Sequence, residues 1–362
     1  MPGERAYLVV VKLPRYGQRV MDEMVEEMTE LILAANGRVV GMSKANLENP
    51  HPAFLVRGGK LAEIRSQAQA AGAQVIIFNC DLNPVQARNI ESETGIRAVD
   101  RTGLILDIFA RRAQSRDGKL QVELAQLEYL MPRLVGQGVI MSRLGGGIGT
   151  RGPGEQKLEV DRRKIRDRIL RLKKEVAKLE QHRRLLRSGR QQKGLFQAAL
   201  VGYTNAGKST LLNALTGAGT FVQDRLFATL DPKTRVQKIS GGADILFTDT
   251  VGFIRDLPHQ LIDAFRATLE ETAEADLLLH VLDASSEYRD EHQAVVEKTL
   301  AEIHASAKPV ITVLNKIDQI GPEACERLRA RFPEAVLISA REGTGLEVLT
   351  KTIAGFCAKK YF

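Results

Sequence analysis

The sequence predicts a mixed α/β protein in three parts, and three observations carry that prediction. Apolar runs alternate with helical patterns near both ends of the chain, which is typical of α/β domains with largely parallel sheets. Heptad spacing dominates the middle of the chain and favours a pair of helices. A glycine-rich loop stands between a strand pattern and a helix pattern at residues 202–209. We therefore expect an N-terminal α/β domain over 1–103, an antiparallel helical hairpin over 104–193 and a doubly wound domain over 194–362.

Length and composition describe an ordinary soluble protein of more than one domain. The chain has 362 residues, of which 44% are hydrophobic and 27% are charged. No apolar run approaches the roughly 18 residues that a membrane span needs. The three cysteines are widely separated and match no metal-ligand spacing, so we expect reduced thiols. We expect a cytoplasmic monomer without a membrane span.

The N-terminal third alternates short apolar runs with amphipathic stretches. The predicted elements are strands at 7–13, 39–42, 75–78 and 96–99, and helices at 20–35 and 84–94. Gly58-Gly59-Lys60 stands before a further helical pattern, 61–71. It fits either an anion-binding turn or a plain turn. The plain turn is favoured because the other glycines of a nucleotide fingerprint are missing.

The middle of the chain carries two regular series, both of which fit helices that pair through a narrow apolar seam. The first has a 4-3-4-3 spacing: Leu106, Ala110, Ala113, Asp117, Leu120, Leu124, Leu127, Met131 and Leu134. The second recurs every seventh residue, at Leu158, Ile165, Leu172, Leu179 and Leu186, with Ile169 and Val176 between. Asp117 interrupts the first series beside Gly118, so a kink or break is expected there. Glycine and proline in the intervening segment predict a tip loop at 136–156.

Positive charge is concentrated in the second helix. Residues 155–190 contain 14 Lys and Arg and 6 Asp and Glu, and the difference, +8, equals the net charge of the whole chain. A merely solvated helix pair is the alternative, but it would mix its charges more evenly. The cations suit the phosphate backbone of structured RNA, since the aromatic residues that stack on single-stranded bases are absent. The candidate RNA-binding residues are Arg151, Arg162, Arg163, Arg166, Arg168, Arg171, Lys173 and Lys174.

The glycine-rich loop has the pattern of a phosphate-binding loop (P-loop). It reads Gly202-Tyr203-Thr204-Asn205-Ala206-Gly207-Lys208-Ser209, after an apolar strand and before a helix. Backbone N–H groups of such a loop surround an anion, and the N-terminus of the helix adds positive potential. Lys208 is expected to contact the β- and γ-phosphates, and the Ser209 hydroxyl to bind Mg²⁺.

Three later segments complete a guanine-nucleotide site in a Ras-like domain. Asp249-Thr250-Val251-Gly252 follows a strand, where the carboxylate can hold Mg²⁺ and the Gly252 N–H can contact the γ-phosphate. Asn315-Lys316-Ile317-Asp318 follows another strand, and its Asp318 carboxylate can accept from the two donors of guanine that adenine does not present. Ser339-Ala340-Arg341, after the next strand, is expected to supply an N–H to the guanine carbonyl. Together these segments predict GTP and GDP as ligands and GTP hydrolysis as the reaction.

The segment between the P-loop and the second strand of this domain is where a nucleotide-sensitive switch belongs. Phe227-Ala228-Thr229-Leu230-Asp231 within it are candidate GTP contacts. We expect Thr229 to supply the second hydroxyl to Mg²⁺, with Thr220 and Thr234 as rivals. The candidate catalytic residues are Lys208, Thr229 and Gly252.

Two further positions bear on catalysis. Phe253 follows Gly252 where many GTPases carry a glutamine that orients water, so we expect slow intrinsic hydrolysis that a partner stimulates. Asn205 either holds a K⁺ ion near the phosphates or only stabilises the loop, since asparagine tolerates turns well.

Over essentially its full length the chain resembles the HflX family of translational GTPases. The resemblance rests on segments 145–155 (GGGIGTRGPGE), 100–107 (DRTGLILD), 118–127 (GKLQVELAQL) and 227–232 (FATLDP). It implies a cytosolic GTPase bound to the large (50S) ribosomal subunit, with the N-terminal domain and hairpin on ribosomal RNA. Some members split stalled ribosomes. Many relatives continue into a further small domain, whereas this chain stops at Phe362, so we expect the contacts of that domain to be missing.

Two other functions fit the same motifs. One is a GTPase that acts on another structured RNA, in tRNA or mRNA processing. The other is a regulatory GTPase that binds a protein through its helices. Neither is accompanied by a further catalytic constellation in the sequence.

Overall fold

The computed structural model describes residues 3–14, 16–134, 153–192, 195–217, 226–227, 230–238, 244–256 and 266–361. These residues form two compact units. The N-terminal unit comprises residues 1–111 and 119–177, and the C-terminal unit comprises 112–118 and 178–362. Among the described helices, none is long and apolar enough to cross a membrane.

The N-terminal unit is built on a four-stranded parallel sheet, as the alternation of apolar runs predicts. Its elements are β1 (Glu4–Lys12), α1 (Gln18–Ala34), β2 (Gly37–Asn46), α2 (Gly58–Ala70), β3 (Val75–Phe78), α3 (Pro84–Thr94), β4 (Arg97–Val99) and α4 (Arg101–Arg112). The strand order is β2-β1-β3-β4, so β1 is a central strand. Residues 6–11 of β1 are all buried. Such a continuous apolar run is typical of a parallel strand covered on both faces.

Helix α3 shows how local sequence sets the bounds of an element. The Asn83 side chain accepts from the Gln86 N–H at 2.8 Å, and the Gln86 side chain accepts from the Asn83 N–H at 3.0 Å. This reciprocal capping box, with Pro84 in the first turn, starts the helix. Gly95 ends it with a left-handed backbone, φ 70°.

The predicted first helix of the hairpin is two helices. Helix α4 ends at Arg112 and α5 spans Arg116–Leu130, so the break lies at 113–115, a few residues before the expected Asp117. Leu106 and Ala113 of the predicted series are buried, whereas Ala110 between them is exposed. The expected series is therefore interrupted at Ala110 and by the break at 113–115, although the positions on either side of Ala110 are buried as expected.

The second helix of the predicted hairpin, α6, spans Pro153–Gln192. Its Ile169, Leu172 and Val176 are buried, as the heptad pattern predicts. On α5, Leu120 of the predicted series is buried, Leu124 and Leu127 are half-buried, and Ala125, which is not in the series, is buried. The predicted tip loop, 136–156, falls outside the described residues up to position 152, and its last four residues, 153–156, are the first turn of α6 instead, because proline is tolerated at the start of a helix. The antiparallel course of the helices stays a prediction.

Asp100, from one of the segments that carry the family resemblance, fixes the C-terminal end of α5 to the N-terminal sheet. Its carboxylate accepts from the N–H groups of Leu82 at 3.1 Å and Gly103 at 2.8 Å. It also accepts from the Tyr129 hydroxyl at 2.7 Å and Arg133 Nη2 at 2.6 Å. Burial and this carboxylate raise the pKa of Tyr129 well above its usual value, so the phenol remains a donor.

The C-terminal unit contains a six-stranded sheet of order β10-β9-β8-β5-β7-β6, in which only β6 is antiparallel to its neighbour. Its strands are β5 (Phe196–Val201), β6 (Lys233–Lys238), β7 (Asp244–Asp249), β8 (Leu277–Asp283), β9 (Val310–Asn315) and β10 (Val336–Leu337). Its helices are α7 (Lys208–Thr216), α8 (Arg266–Glu274), α9 (Arg289–Glu302), α10 (Pro322–Arg331) and α11 (Leu346–Tyr361). The carboxyl ends of the parallel strands meet at one edge, which is where ligands bind in open α/β sheets. The predicted motif segments follow β5, β7, β9 and β10 at that edge.

The predicted boundary between the first two domains, after residue 103, falls inside helix α4. The three-domain division therefore stays a proposal.

Candidate functional site

The P-loop connects the end of β5 to the start of α7, as predicted. Asn205 has a left-handed backbone, φ 62°, which asparagine tolerates well. This geometry is compatible with both hypotheses for Asn205, K⁺ binding and loop stabilisation. Helix α7 begins at Lys208, so its first N–H groups, which have no partner within the helix, adjoin the loop.

Lys208 is buried beneath the loop, with 6% of its surface exposed. Its ammonium group donates to the carbonyl oxygens of Tyr203 at 2.8 Å and Gly202 at 3.1 Å. Burial lowers the pKa of Lys208 to about 8, although the Asp249 carboxylate opposes the shift. The lysine is thus fixed at the loop, and its charge depends on pH near neutrality.

Two predicted Mg²⁺ ligands lie side by side. The Ser209 hydroxyl donates to Asp249 Oδ2 at 2.6 Å, and Asp249 is fully buried at the end of β7. A hydroxyl and a carboxylate are the oxygen ligands that Mg²⁺ prefers. A side chain at position 252 would fill the space beside them: a Cβ built on Gly252 would come within 2.8 Å of Thr204 Cα and 3.1 Å of Lys208 Nζ. The donor set and this cradle fit a metal-bound phosphate.

The third predicted metal ligand is not described, because Thr229 and Ala228 fall outside the described residues, as does the rival Thr220. The other rival, Thr234, lies on β6, where its hydroxyl is 3.2 Å from that of Thr248. That contact gives Thr234 a partner on the neighbouring strand.

The base-recognition segments are joined to the P-loop by Asn315. Its side chain donates to the Ala206 carbonyl at 3.0 Å and accepts from the Ala340 N–H at 3.0 Å. One buried amide therefore connects three of the predicted motifs. Lys316 pairs with Asp283 at 2.7 Å, and Asp318 lies in the short 3₁₀ turn Ile317–Gln319. Ser339 is fully buried beside them, whereas Arg341 is exposed.

Phe253 is buried, and its backbone is hydrogen-bonded to the P-loop. Its N–H donates to the Gly202 carbonyl at 3.0 Å, and its carbonyl accepts from the Thr204 N–H at 2.8 Å. Its side chain is 3% exposed and, being a hydrocarbon, cannot orient water. The segment after Gly252 is thus held against the loop by main-chain hydrogen bonds that the sequence does not reveal.

Two histidines near the loop were missed by motif reasoning. The Tyr203 ring stacks on His292, with centroids 3.8 Å apart. His280, on β8, is buried, and burial lowers its pKa to about 4, so it is neutral at physiological pH. The sequence signal for His280 is its position as the one ionisable residue within the apolar run LLLHVL, which indicates a buried histidine.

The candidate RNA-binding residues of α6 divide into two groups. Arg168 makes a two-pronged contact with Glu123 at 2.7 and 2.8 Å, and Lys173 pairs with Glu128 at 2.8 Å. The side chains of Arg163, Arg166, Arg171 and Lys174 are exposed and that of Arg162 is half-buried. Arg151 lies outside the described residues.

Gly58-Gly59-Lys60 forms the first turn of α2, beside a cleft of about 910 Å³. Four cations line the cleft: Lys12, Lys44, Arg57 and Lys60. Lys60 pairs with Glu63 at 2.7 Å and Lys44 with Asp22 at 3.7 Å, so two of the four have acidic partners. The anion-binding and plain-turn hypotheses both remain compatible with this arrangement.

Comparison with known proteins places the whole chain in one family. Three family descriptions match in succession: the N-terminal region of a GTP-binding GTPase at 22–110, its middle region at 112–190, and a 50S ribosome-binding GTPase at 197–316. The chain is 48% identical over 353 residues to GTPase HflX of Caldanaerobacter subterraneus subsp. tengcongensis, covering 97% of this chain and 80% of that protein. The chain belongs to the HflX family of GTPases.

Other members of the HflX family give the same result. GTPase HflX of Escherichia coli K12 is 42% identical over 363 residues, which cover 99% of this chain and 84% of that protein. Among solved structures, the crystal structure of SsGBP in complex with GDP has a TM-score of 0.52 and 28% identity, covering 99% of this chain and 100% of that one. That protein is described with GDP bound.

Proposed function

We propose that this chain is a GTP-hydrolysing factor that binds the large ribosomal subunit, with an affinity that depends on whether GTP or GDP is bound. The observation that carries the nucleotide part is the convergence of Lys208, Ser209 and Asp249 at the P-loop. The observation that carries the ribosomal part is the set of exposed cations on α6, in a chain whose GTPase region matches a 50S-binding description.

Each residue of the loop has a distinct role in this proposal. The Lys208 ammonium and the N–H groups at the start of α7 bind the β- and γ-phosphates, and the Gly252 N–H contacts the γ-phosphate. Ser209, Asp249 and Thr229 would hold Mg²⁺, which neutralises negative charge on the phosphates when it is bound. The remaining loop residues orient the triphosphate for in-line attack by water on the γ-phosphate, from which GDP leaves.

Phe253 supports slow hydrolysis in the isolated protein. No group at this position orients the attacking water, and the backbone is hydrogen-bonded to the P-loop. A partner that rearranges this segment would raise the rate. We also propose a K⁺ ion near Asn205, which predicts faster turnover in potassium than in sodium salts.

The affinity of the site for GDP is expected to fall as pH rises above 8. In the protein without nucleotide Lys208 has a pKa of about 8, and bound phosphates raise it, because they stabilise the ammonium. Binding therefore takes up a proton above pH 8 and takes up almost none below pH 7. We expect a loss of about tenfold in affinity between pH 7 and pH 9, measured with a fluorescent GDP.

The matched control for this pH dependence is Lys208→Arg. Its guanidinium keeps its charge throughout the range, so its affinity, whatever its absolute value, should change little between pH 7 and pH 9. A wild-type affinity that is equally flat would contradict the assigned role of Lys208.

Ribosome binding is expected to depend on the exposed cations of α6. Replacing Arg163, Arg166 and Arg171 by glutamate should weaken binding to purified large subunits, and should reduce the slope of log affinity against log salt by about 3. The same variant should lose the stimulation of GTP turnover by subunits while it keeps the intrinsic rate. Pelleting at several salt concentrations and a phosphate-release assay measure both effects.

The control carries the same change of charge on three exposed cations of the C-terminal unit, at Lys298, Arg327 and Arg329. It should bind subunits as the wild type does. If the α6 variant also bound normally, a protein partner for the helices would be favoured. If tRNA stimulated turnover as well as subunits do, another structured RNA would be favoured.

The finer role that the resemblance supports is splitting or rescue of stalled ribosomes, by a cytoplasmic monomer. Sedimentation of whole ribosomes with the protein and GTP tests it, since a splitting factor increases the free subunits. Ribosomes that stay intact at saturating protein would limit the proposal to binding.

A further inference from the structure

Asp231, which the sequence assigns to the nucleotide, makes its hydrogen bonds elsewhere. Its carboxylate accepts from the backbone N–H groups of Gln114 at 3.0 Å and Ser115 at 2.8 Å, and from the Ser115 hydroxyl at 2.5 Å. These residues all belong to the C-terminal unit. They form the short break between α4 and α5.

The carboxylate thereby stabilises the start of α5. The Ser115 hydroxyl accepts from the Gly118 N–H at 2.8 Å, which is the contact of a helix N-cap. A negative charge next to the first turn also interacts favourably with the helix dipole. The fit is close, because a Cβ at Gly118 would lie 2.3 Å from Asp231 Oδ1. A side chain at position 118 would displace the carboxylate.

The same turn of α5 is joined to the second helix of the predicted hairpin. Asp117 forms an ion pair with Arg183 of α6, and Arg183 also lies 3.5 Å from Glu270 of α8. A change at the start of α5 therefore acts next to the ion pair between Asp117 and Arg183.

On its other side, Asp231 is close in sequence to the proposed metal site. Strand β6 begins two residues later, and Lys233 pairs with Asp249 in the antiparallel register of β6 and β7. Asp249 is the carboxylate that contacts Ser209. The first residue of β6, Lys233, is thus paired with Asp249 of the proposed metal site, and it lies two residues after Asp231, which contacts the start of α5.

We propose that Asp231 is a positioning residue that transmits the nucleotide state to the start of α5. Movement at Asp249 on exchange of GDP for GTP shifts the start of β6, and the Asp231 carboxylate then changes its hydrogen bonds to Gln114 and Ser115. The inference rests on the proposed function in one respect, that the P-loop binds guanine nucleotides. It does not require ribosome binding.

Hydrogen exchange on the full chain, loaded with Mg²⁺ and either GDP or a non-hydrolysable GTP analogue, tests this proposal. In the wild type, peptides covering 113–119 should exchange at rates that differ about fivefold between the two nucleotides, the size expected for loss of a helix cap. In Asp231→Ala the same peptides should exchange fast with either nucleotide. Ser115→Ala, which keeps both backbone donors, should show an intermediate difference.

Asp290→Ala is the control, since Asp290 is a surface aspartate that pairs with Arg331. It should keep the wild-type difference. Equal exchange with both nucleotides in the wild type, or a difference that survives in Asp231→Ala, would show that Asp231 is only a static cap. Fluorescent nucleotide binding on the same samples separates these results from failure of the nucleotide site itself.

Discussion

Replacing Lys208 by alanine is expected to lower GTP turnover by roughly a hundred- to a thousandfold, the usual cost of removing one preorganised charge from a transition state. The reason is that Lys208 is buried under the P-loop and fixed by the carbonyl oxygens of Gly202 and Tyr203. Its charge is in place before the reaction and needs no reorganisation. Single-turnover phosphate release at saturating GTP measures the effect.

Lys298→Ala provides the matched control, because Lys298 is an exposed lysine of α9 in the same unit. It should leave turnover unchanged. Thermal unfolding of both variants without nucleotide shows that the fold is intact, and removal of a desolvated ammonium should not destabilise it. Turnover of Lys208→Ala within a factor of three of the wild type would exclude the assigned role.

Asp318→Asn is expected to weaken GTP binding by roughly a thousandfold or more and to improve binding of xanthosine triphosphate. A carboxylate accepts from both the ring N–H and the exocyclic amine of guanine. The asparagine amide offers one acceptor and one donor, so it faces the guanine amine with its own NH₂. Xanthine carries a carbonyl oxygen at that position and accepts from the amide.

Competition between the two triphosphates for a fluorescent nucleotide measures this change of specificity. Asp290→Asn is a surface control that should keep the preference for GTP. A variant at Asp318 that still prefers GTP would place the guanine contact on another residue of the segments after β9 and β10.

The fold of both α/β units could be predicted from sequence because their central strands are buried and mostly apolar. Residues 6–11 of β1 are all buried, and β5, β8 and β9 are apolar runs interrupted inside the strand only by Gln197, His280 and Thr312 respectively. The motif segments were equally predictable, since each follows a strand end that the apolar runs define.

The helical region was predicted less well, for a physical reason. Heptad spacing identifies residues that can face a seam, but it does not show where a helix breaks or which of these residues stays exposed, as Ala110 does. Arg168 and Lys173 were predicted to contact RNA because their acidic partners, Glu123 and Glu128, are distant in sequence, so the ion pairs could not be recognised from local spacing.

The switch segment shows a third limit of sequence. Its position between P-loop and β6 predicts nucleotide contact for every residue, whereas Asp231 contacts the start of α5. A short polar residue in a loop has many potential partners, and only the tertiary fold selects among them.

The cluster around Asp100 determines how the protein could be divided into fragments. A fragment that starts at residue 104 would retain Tyr129 and Arg133 but lose the carboxylate that both contact. The Tyr129 hydroxyl and the Arg133 guanidinium would then lose the acceptor that they share, and a part-buried donor that loses its acceptor destabilises the fold. Helix α5 is therefore not detachable from the sheet that precedes it, and a shortened version that keeps the C-terminal end of α5 in place must retain that sheet.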